Sequence, residues 1–353
     1  MVYRRRFLSF CAGAVGAAFL PLAVAAQGAG WLDMARLKAG YARRIAAIRK
    51  AGDLPILDIE SSYNPLNLDL PDFVKAMDRA GVAQMAFSVD QPGKLVNEGQ
   101  TWSHHNFELI RAYPEHFIPT GNGGNHPAWT RNPDRFLDDN ERFIQEHSYP
   151  LMGEFEFRHY PSPRQIERNE MHRDVAIPID GPQGHRLFAF AAKTGVPFQI
   201  HYEIEDDLLA PLEAMLTRYP RAKVIWCHAA QIRYSARSTR YGSAYLRGLF
   251  AKHPNLYVDT AFGGPNSVYK PSGERHARVW SGGDIKPDWK ELIAEFPYRF
   301  LAALDIGGDR TTRLEEWTRT LRSFLDRVPD KARPIVAYGA AWKLLFGEDI
   351  VAG

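Results

Sequence analysis

Ala191-Ala-Lys-Thr-Gly-Val-Pro-Phe-Gln-Ile-His201 joins the end of a helix to a short apolar run that stops at a histidine. The glycine at 195 stands where a left-handed helix cap is wanted, and the apolar run has the length of a buried strand. This compact passage from helix to strand is typical of adjacent layers in an α/β fold.

Three further apolar runs end on residues that can bind a metal: Val224-Ile-Trp-Cys-His228, Phe300-Leu-Ala-Ala-Leu-Asp305 and Pro55-Ile-Leu-Asp-Ile-Glu60. A buried strand that stops at such a residue directs a polar side chain out of the end of its sheet. Because the strand ends of a closed barrel converge, the runs predict one shared polar site.

Short apolar runs alternate with amphipathic stretches, which predicts a parallel sheet with helical crossovers. Eight such pairs favour one α/β domain over 31–353, a (β/α)8 TIM-type barrel, regular or distorted. A doubly wound open sheet is the alternative, but it gathers ligands from few strands. The predicted strands are 55–60, 82–89, 117–121, 150–157, 197–201, 222–227, 255–260 and 299–305. The predicted helices lie near 71–80, 102–112, 133–146, 183–194, 206–218, 240–252, 286–295 and 311–327.

Residues 1–25 are typical of a cleaved signal peptide. Arg4-Arg5-Arg6-Phe7-Leu8-Ser9 precedes an apolar stretch, and Ala23-Val24-Ala25 offers small residues for cleavage. The pattern resembles a twin-arginine signal, and a membrane anchor is the alternative. We therefore expect a periplasmic or secreted protein. The twin-arginine pathway exports folded proteins, often with their cofactor already bound, which favours a metal site.

The formal net charge of +3 resides in this segment, because removing it takes away three arginines and no acid. No basic tract remains to suggest nucleic acid or an anionic membrane, and no later apolar run could span a bilayer. Cys227 is the single cysteine after the segment, which excludes an internal disulfide. We expect a small-molecule substrate, and the sequence leaves a homo-oligomer open.

His201, His228 and Asp305 are the candidates for the shared site. His201, taken alone, could equally be an ordinary residue at a strand end, whereas the small residues Ala229 and Ala230 after His228 leave space for something to bind. A carboxylate that ends a buried strand, however, must be paired, hydrogen-bonded or bound to a metal. Together the three side chains favour a metal site.

The run Gly153-Glu-Phe-Glu-Phe-Arg158 has a charged face, because alternation puts Glu154, Glu156 and Arg158 on one side of a strand. If this face points into the barrel mouth, Arg158 could bind a substrate carboxylate through two hydrogen bonds, with Glu156 beside it. The alternative is an internal Glu–Arg pair that braces the barrel.

Other segments carry weaker signals. The segments 159–182 and 262–285 are predicted as long loops over the site, and either could act as a lid. His104-His105 is predicted on an exposed helix. Asn122-Gly-Gly-Asn125 lacks the lysine of a phosphate-binding loop and is predicted as a flexible loop near the site.

After the signal, nearly the whole chain resembles the amidohydrolase-related family. The resemblance implies a distorted (β/α)8 barrel with a divalent metal at the C-terminal strand ends. In the closing segment, Ala340 stands where the family usually has Asn. The matching stretches are Ile56-Leu-Asp-Ile-Glu60, the strand-end His201 and His228, Asn255-Leu-Tyr-Val-Asp-Thr260, Arg299-Phe-Leu-Ala-Ala-Leu-Asp305 and Tyr338-Gly-Ala-Ala-Trp-Lys-Leu-Leu-Phe346.

The resemblance also implies roles for these residues. His201 would be a metal ligand, Asp305 a ligand or general base, and His228 a ligand or a group that polarises the substrate. Many members carry Asp-x-His-x-His on the first strand, where this chain has Asp58-Ile-Glu60-Ser61-Ser62. We therefore expect Glu60 as a replacement ligand and one divalent metal, Zn or Mn.

The family's aromatic decarboxylases are similar in having Glu-x-Ala on the first strand, but they carry a Glu three residues after the sixth-strand histidine. Here that place holds Gln231, which is predicted to contact substrate. The main hypothesis is a hydrolase of a carbonyl, lactone or amide substrate that uses a metal-activated water, with Asp305 as base. A decarboxylase of a carboxylated aromatic acid and an inactive periplasmic binding barrel are the alternatives.

Overall fold

The fold is known from a computed structural model that describes residues 32–64, 68–89, 104–124 and 126–350. The predicted signal peptide, the side chains of His104 and His105, and Asn125 lie outside this described part. Within it, strands and helices alternate along the chain, which confirms the α/β class.

The strands fall into two main sheets and two small hairpins. One sheet has the order β1-β2-β3 and the other β13-β8-β7-β6-β4-β5; all neighbours pair in parallel except β4 with β5. The strands are β1 Ile56–Tyr63, β2 Val82–Val89, β3 Phe117–Ile118, β4 Met152–His159, β5 Val175–Ala176, β6 Phe198–Tyr202, β7 Val224–Cys227, β8 Leu256–Asp259, β9 Val268–Tyr269, β10 Glu274–Arg275, β11 Trp280–Ser281, β12 Asp284–Ile285 and β13 Phe300–Leu301.

Isolated bridges connect the two main sheets at both edges. Ser61 pairs with Ile306 beyond β13, and Gly124 pairs with Phe155 on β4. The predicted loop around Asn122 is therefore tied to β4 rather than free, because the N–H of Gly124 donates to the carbonyl of Glu154 at 2.7 Å. Continuous ladders do not close the ring, so a complete eight-stranded barrel stays a prediction.

The helices follow the predicted amphipathic stretches closely, and their ends have the predicted caps. Gly81 and Gly195 adopt left-handed conformations, with φ of 68° and 76°. The helices are α1 Met34–Lys50, α2 Leu70–Ala80, α3 His104–Ala112, α4 Ala128–Arg131, α5 Pro133–His147, α6 Pro163–Glu167, α7 Pro182–Thr194, α8 Asp206–Arg218, α9 Ser243–Lys252, α10 Pro287–Glu295, α11 Leu314–Leu325 and α12 Ala340–Phe346.

Some elements differ from the prediction. Helix α1 was not predicted, although Tyr41 on it is fully buried and its hydroxyl donates to the carbonyl of Phe117 at 2.6 Å. The last strand is shorter than 299–305, because beyond Leu301 the N–H groups of Ala303 and Leu304 donate to the side chains of Thr260 and Asp58 rather than to a neighbouring strand. The two predicted long loops contain regular structure: α6 and β5 lie in the first, and the hairpins β9–β10 and β11–β12 lie in the second.

The core packs between the strands and the surrounding helices. Strands β2 and β7 are buried along their whole length, as expected for parallel strands covered on both faces. Within the described residues, the structure contains no helix with the length and apolar character that a bilayer crossing needs.

Candidate metal centre

A cavity of about 690 Å³ lies beside the C-terminal ends of β1, β2, β4 and β6. Its wall includes side chains that follow or end these strands, and a metal-binding cluster forms part of that wall. The cluster brings together the side chains of Glu60, Glu154, His201, His228 and Asp305.

His228 follows β7 and is held in one orientation. Its backbone has φ of 57°, and its N–H donates to Asp259 Oδ1 at 2.9 Å. Its ring Nδ1 lies 2.9 Å from the carbonyl of Ala261, which can only accept, so Nδ1 carries a proton. Nε2 therefore faces the cluster, 3.4 Å from Glu60 Oε1 and 3.3 Å from Glu154 Oε1.

His201 lies on β6 between two carboxylates. Its Nδ1 is 3.0 Å from Glu154 Oε1, and its Nε2 is 3.2 Å from Glu203 Oε1. The rings of His201 and His228 have their centroids 4.8 Å apart. Glu154 therefore contacts both imidazoles and is a ligand candidate in its own right.

Asp58 fixes the first strand against the segment that follows β13. Its carboxylate is fully buried and accepts from the backbone N–H of Glu60 at 3.1 Å, from the Ser61 hydroxyl at 2.6 Å and from the N–H of Leu304 at 2.9 Å. Burial raises the pKa of Asp58 to about 7. The N–H of Asp305 in turn donates to the carbonyl of Glu60 at 2.9 Å, so the two carboxylates are held side by side.

Asp305 has φ of 48° and extends into the cavity wall. Its two oxygens accept from Arg310 Nη1 and Nη2 at 3.1 and 3.0 Å. Burial alone would raise the pKa of Asp305, but the charges of Arg310 and His228 lower it. This carboxylate is therefore ionised at neutral pH.

The remaining groups of the cluster also have shifted pKa values. Burial, together with the charges of Asp259 and Glu154, raises the pKa of Glu60 well above its ordinary value. Burial would lower the pKa of His228, but the hydrogen bond to Glu154 and the charge of Asp259 raise it to about 10. Both shifts favour the protonated forms of Glu60 and His228.

The donor set fits one divalent cation. Glu154, His201 and His228 form one group with ligand atoms within 4.8 Å of one another, and Glu60, His228 and Asp305 form a second. Two atoms that are each about 2.1 Å from one ion lie at most about 4.2 Å apart, and the 3.3 and 3.4 Å separations satisfy this. Among the described residues, Glu60 Oε2 is buried without a hydrogen-bond partner.

The geometry also limits the number of ions. His228 Nδ1 carries the proton that points at Ala261, so Nε2 is the one ligand atom that this ring offers. A single imidazole lone pair binds a single ion, and these two groups of donors both include His228. A third group, formed by Glu60, Glu154 and Cys227, shares one carboxylate with each of them. The first two groups therefore describe one position, and the binding of a single ion there stays a prediction.

The predicted ligands Glu60, His201, His228 and Asp305 are brought together, whereas Arg158 is not. Its guanidinium donates to Asp174 at 2.6 Å and lies 3.8 Å from the ring centroid of Tyr160, outside the cavity wall. The alternation rule fails here because the pairing of β4 with β6 is irregular around this residue. The structure also lacks the alternative, a Glu–Arg pair within this strand, among the ion pairs of the described residues: Arg158 pairs with Asp174, and Glu156 pairs with Arg173 from the segment 159–182.

Gln231 lies beside the site rather than in the cluster. Its Nε2 donates to the carbonyl of Ala261 at 2.8 Å, the same oxygen that accepts from His228. His228 Nδ1 thus contacts a neutral carbonyl. The amide of Gln231 likewise places no charge behind the ring, as expected from the sequence. Gln231 lines a second cavity of about 380 Å³ that shares Asp305 and Arg310 with the first.

Sequence reasoning missed several groups of the site. Glu154 was marked by its place on the charged face of β4, but that pattern could not say which face met the histidines. Asp259 ends a strand and could have been found by the same rule as Asp305. Arg310 and Glu203 lie in segments without a periodic signal, so their contacts were not readable from the chain.

Arginines surround the metal-binding cluster. Glu156 lines the cavity and pairs with Arg173, while Arg310 holds Asp305. The segment 159–182 supplies several of these cations, which agrees with its predicted place over the site. The arginines of the cavity wall are Arg131, Arg164, Arg168, Arg173, Arg233 and Arg310.

A family model described as Amidohydrolase matches residues 120–301, just over half of the chain. No curated protein matches the sequence. Among solved structures, an amidohydrolase from Burkholderia multivorans with bound zinc is similar, with 13% identity and a TM-score of 0.50 over 82% of this chain and 99% of that one. The likeness concerns the fold.

Two further solved structures show weaker likeness. A 2,6-dihydroxybenzoate decarboxylase from Rhizobium has 13% identity and a TM-score of 0.47, covering 82% of this chain and 98% of that one. A 4-oxalomesaconate hydratase from Rhodopseudomonas palustris has 13% identity and a TM-score of 0.46, covering 88% and 92%.

Proposed function

The chain belongs to the amidohydrolase family, and we propose that within it this protein is a hydrolase that uses one divalent metal, zinc or manganese. A cation held here would polarise a carbonyl group and lower the pKa of water. The carboxylate and imidazole donors suit either ion. The residues that would hold it are Glu60, Glu154, His201 and His228, with Asp305 as a fifth donor or as the base.

The observation that carries the hydrolase proposal is the Asp305–Arg310 pair. Hydrolysis of a lactone, ester or amide needs a base that takes a proton from the attacking water and returns it to the leaving group. Asp305 is ionised, lines the cavity and is held by two hydrogen bonds from Arg310. It therefore has the charge and the position that a general base needs.

The support for His228 as a ligand is equally specific. Its Nδ1 proton points at a neutral carbonyl, so no carboxylate behind the ring assists proton transfer. A histidine in this arrangement is suited to hold a cation through Nε2. Asp305 would then carry out the proton transfers of the reaction.

A decarboxylase is the second candidate, and the arginines of the cavity wall favour it. A carboxylated substrate would find several guanidinium groups there, among them Arg164 and Arg173. In that reaction the carbon that loses carbon dioxide must gain a proton. Asp305, whose pKa is lowered, begins the reaction ionised and has taken no proton from a water that it could deliver in that step.

One experiment separates these functions. The purified full chain is loaded with zinc or manganese and incubated with a panel of lactones, esters and amides, and in parallel with carboxylated phenols. Ring opening or cleavage without carbon dioxide supports the hydrolase. Carbon dioxide release supports the decarboxylase, and a protein that binds no stoichiometric metal and turns over neither panel would support the inactive barrel.

We also propose that the eight parallel strands form a distorted closed barrel. The bridges between Ser61 and Ile306 and between Gly124 and Phe155 support closure at both edges. A crystal structure with continuous backbone contacts around the ring would establish it. Separated sheet edges in that structure would refute it.

Export is a further proposal, supported by the arginines and apolar stretch within residues 1–25. N-terminal sequencing of the protein recovered from the periplasm would test it, and a mature chain that begins close to residue 26 is the expected result. Recovery of the uncleaved chain in the cytoplasm would contradict it.

A further inference from the structure

Glu203 lies immediately after β6, two residues beyond His201, and only 5% of its side chain is exposed. Its Oε1 is 3.2 Å from His201 Nε2, the ring nitrogen that faces away from Glu154. The carboxylate therefore contacts the cluster through the back of an imidazole rather than through the cavity.

Glu203 is itself held from two further directions. Arg233 Nη1 approaches its Oε1 to 2.7 Å, and the backbone N–H of Tyr160 donates to the same oxygen at 3.3 Å. Arg233 also donates to the carbonyl of Tyr160 at 2.7 Å. The carboxylate is thus fixed in position before any cation binds.

A metal-binding imidazole uses one ring nitrogen for the cation, and the other nitrogen donates its proton to a carboxylate or carbonyl that fixes the ring. His228 has such a partner in the carbonyl of Ala261. For His201, Nδ1 faces Glu154 and the cluster, so the partner of the remaining nitrogen is Glu203.

We infer that Glu203 is a positioning residue that orients His201 toward the metal, and that Arg233 keeps this carboxylate in place. The inference rests on the proposed metal centre. Because the Glu203 carboxylate lies between the Arg233 guanidinium and the His201 imidazole, it is placed to accept the Nε2 proton and leave Nδ1 free to bind. Glu203 is not among the residues that line the cavity, although it contacts two of them, His201 and Arg233.

Arg233 extends this arrangement to the segments over the site. Its guanidinium lies 5.2 Å from the ring centroid of Tyr269 on β9, and the Tyr269 hydroxyl donates to the carbonyl of Pro161 at 3.0 Å. The pair Glu203–Arg233 therefore joins the metal ligand His201 to both covering segments, so a disturbance there would reach the cluster through this contact.

Glu205 offers a matched control. It lies two residues further along, its side chain is 18% exposed, and it contacts the hydroxyl of Tyr160 and Arg237 rather than His201. Glu203→Gln and Glu205→Gln remove the same charge from the same region. Only the first change acts on a group that touches the predicted ligand.

The test measures zinc affinity of the metal-free full chain by competition with a chromophoric chelator. We expect Glu203→Gln to weaken zinc binding about 10- to 100-fold, Glu203→Asp and Arg233→Lys to weaken it less, and Glu205→Gln to change it less than about threefold. The visible spectrum of the cobalt-substituted protein should change in Glu203→Gln and stay unchanged in Glu205→Gln.

Circular dichroism of each variant at the assay temperature checks that the protein compared is folded. If Glu203→Gln does not fold, Glu203→Asp and Arg233→Lys decide the matter by the same assay. Zinc affinity equal to wild type in the folded Glu203 variants would overturn the positioning role and leave the metal centre standing. A wild-type protein that binds no zinc, manganese or cobalt would overturn both.

Discussion

Asp58 Oδ1 accepts a hydrogen bond from the backbone N–H of Leu304 at 2.9 Å, across 246 positions of the chain. The same carboxylate also binds the Ser61 hydroxyl, whose oxygen accepts from the N–H of Ile306 at 3.2 Å. These contacts hold Glu60 and Asp305 beside each other. The geometry of the site therefore depends on Asp58, a buried residue that is not one of the proposed ligands.

Asp58→Ala should destabilise the protein by about 2–5 kcal/mol, because it leaves the N–H of Leu304 and the Ser61 hydroxyl buried without their acceptor. Urea unfolding followed by circular dichroism would measure the loss. Asp69→Ala is the control, since Asp69 caps α2 at the surface and its removal should cost about 1 kcal/mol. Equal losses in the two variants would contradict this account.

Glu154→Gln should lower zinc affinity at least about tenfold, because Glu154 is the carboxylate that contacts both His201 and His228. Glu156→Gln is a matched control on the same strand, since Glu156 is buried, pairs with Arg173 and belongs to none of the donor groups. Chelator competition would measure both. A loss in Glu156→Gln as large as in Glu154→Gln would remove Glu154 from the proposed ligand set.

Metal binding should release a proton from His228 at neutral pH. With its pKa raised to about 10, the metal-free imidazole is protonated at pH 7, so a proton and a cation compete for Nε2. The apparent affinity should therefore increase as pH rises from about 7 toward 10, by up to about tenfold per pH unit for one proton. Calorimetry in two buffers of different ionisation enthalpy would count the protons; a count of zero would refute the competition.

Asp305→Asn should lower kcat about 10²- to 10⁴-fold if Asp305 is the base, because an amide cannot accept the proton of water. Glu154, His201 and His228 remain, so the metal stoichiometry measured by mass spectrometry should stay at about one. Loss of the metal together with the activity would instead identify Asp305 as an essential ligand.

Arg158→Gln should change stability rather than substrate affinity. The guanidinium binds Asp174 and the carbonyl of Val175, away from the cavity. We expect a loss of about 1–3 kcal/mol in unfolding and a KM within about twofold of wild type. Arg310→Gln is the comparison: because Arg310 holds Asp305 in the cavity wall, its change should alter turnover. A large rise of KM in Arg158→Gln would restore the role predicted from the sequence.

Much of the fold could be predicted because its signals are periodic and local. The strand over 82–89 and the helix over 206–218 coincide with β2 and α8, since apolar runs and amphipathic stretches mark them clearly. Helix α1 was missed because it precedes the first strand. It therefore lies outside the alternation of apolar runs and amphipathic stretches from which the elements were predicted.

The candidate site was predictable where a side chain of the cluster stands at or just after the end of a strand, as with His201 and His228. The other contacts of the site depend on side-chain directions that the local sequence does not determine. Arg158 turns away because of an irregularity in the pairing of β4, and its partner Asp174 comes from a covering segment. Arg310 and Glu203 act through contacts that only the folded chain creates.

His228 and Asp305 share one backbone property, since both occupy the left-handed region that an L-residue enters at a cost of roughly 1 kcal/mol or more and glycine enters freely. Backbone preference alone would therefore choose glycine at both turns. A barrel that served only as a scaffold would gain nothing from an imidazole and a carboxylate there. The side chains that these two positions place in the site would account for the backbone strain at His228 and Asp305.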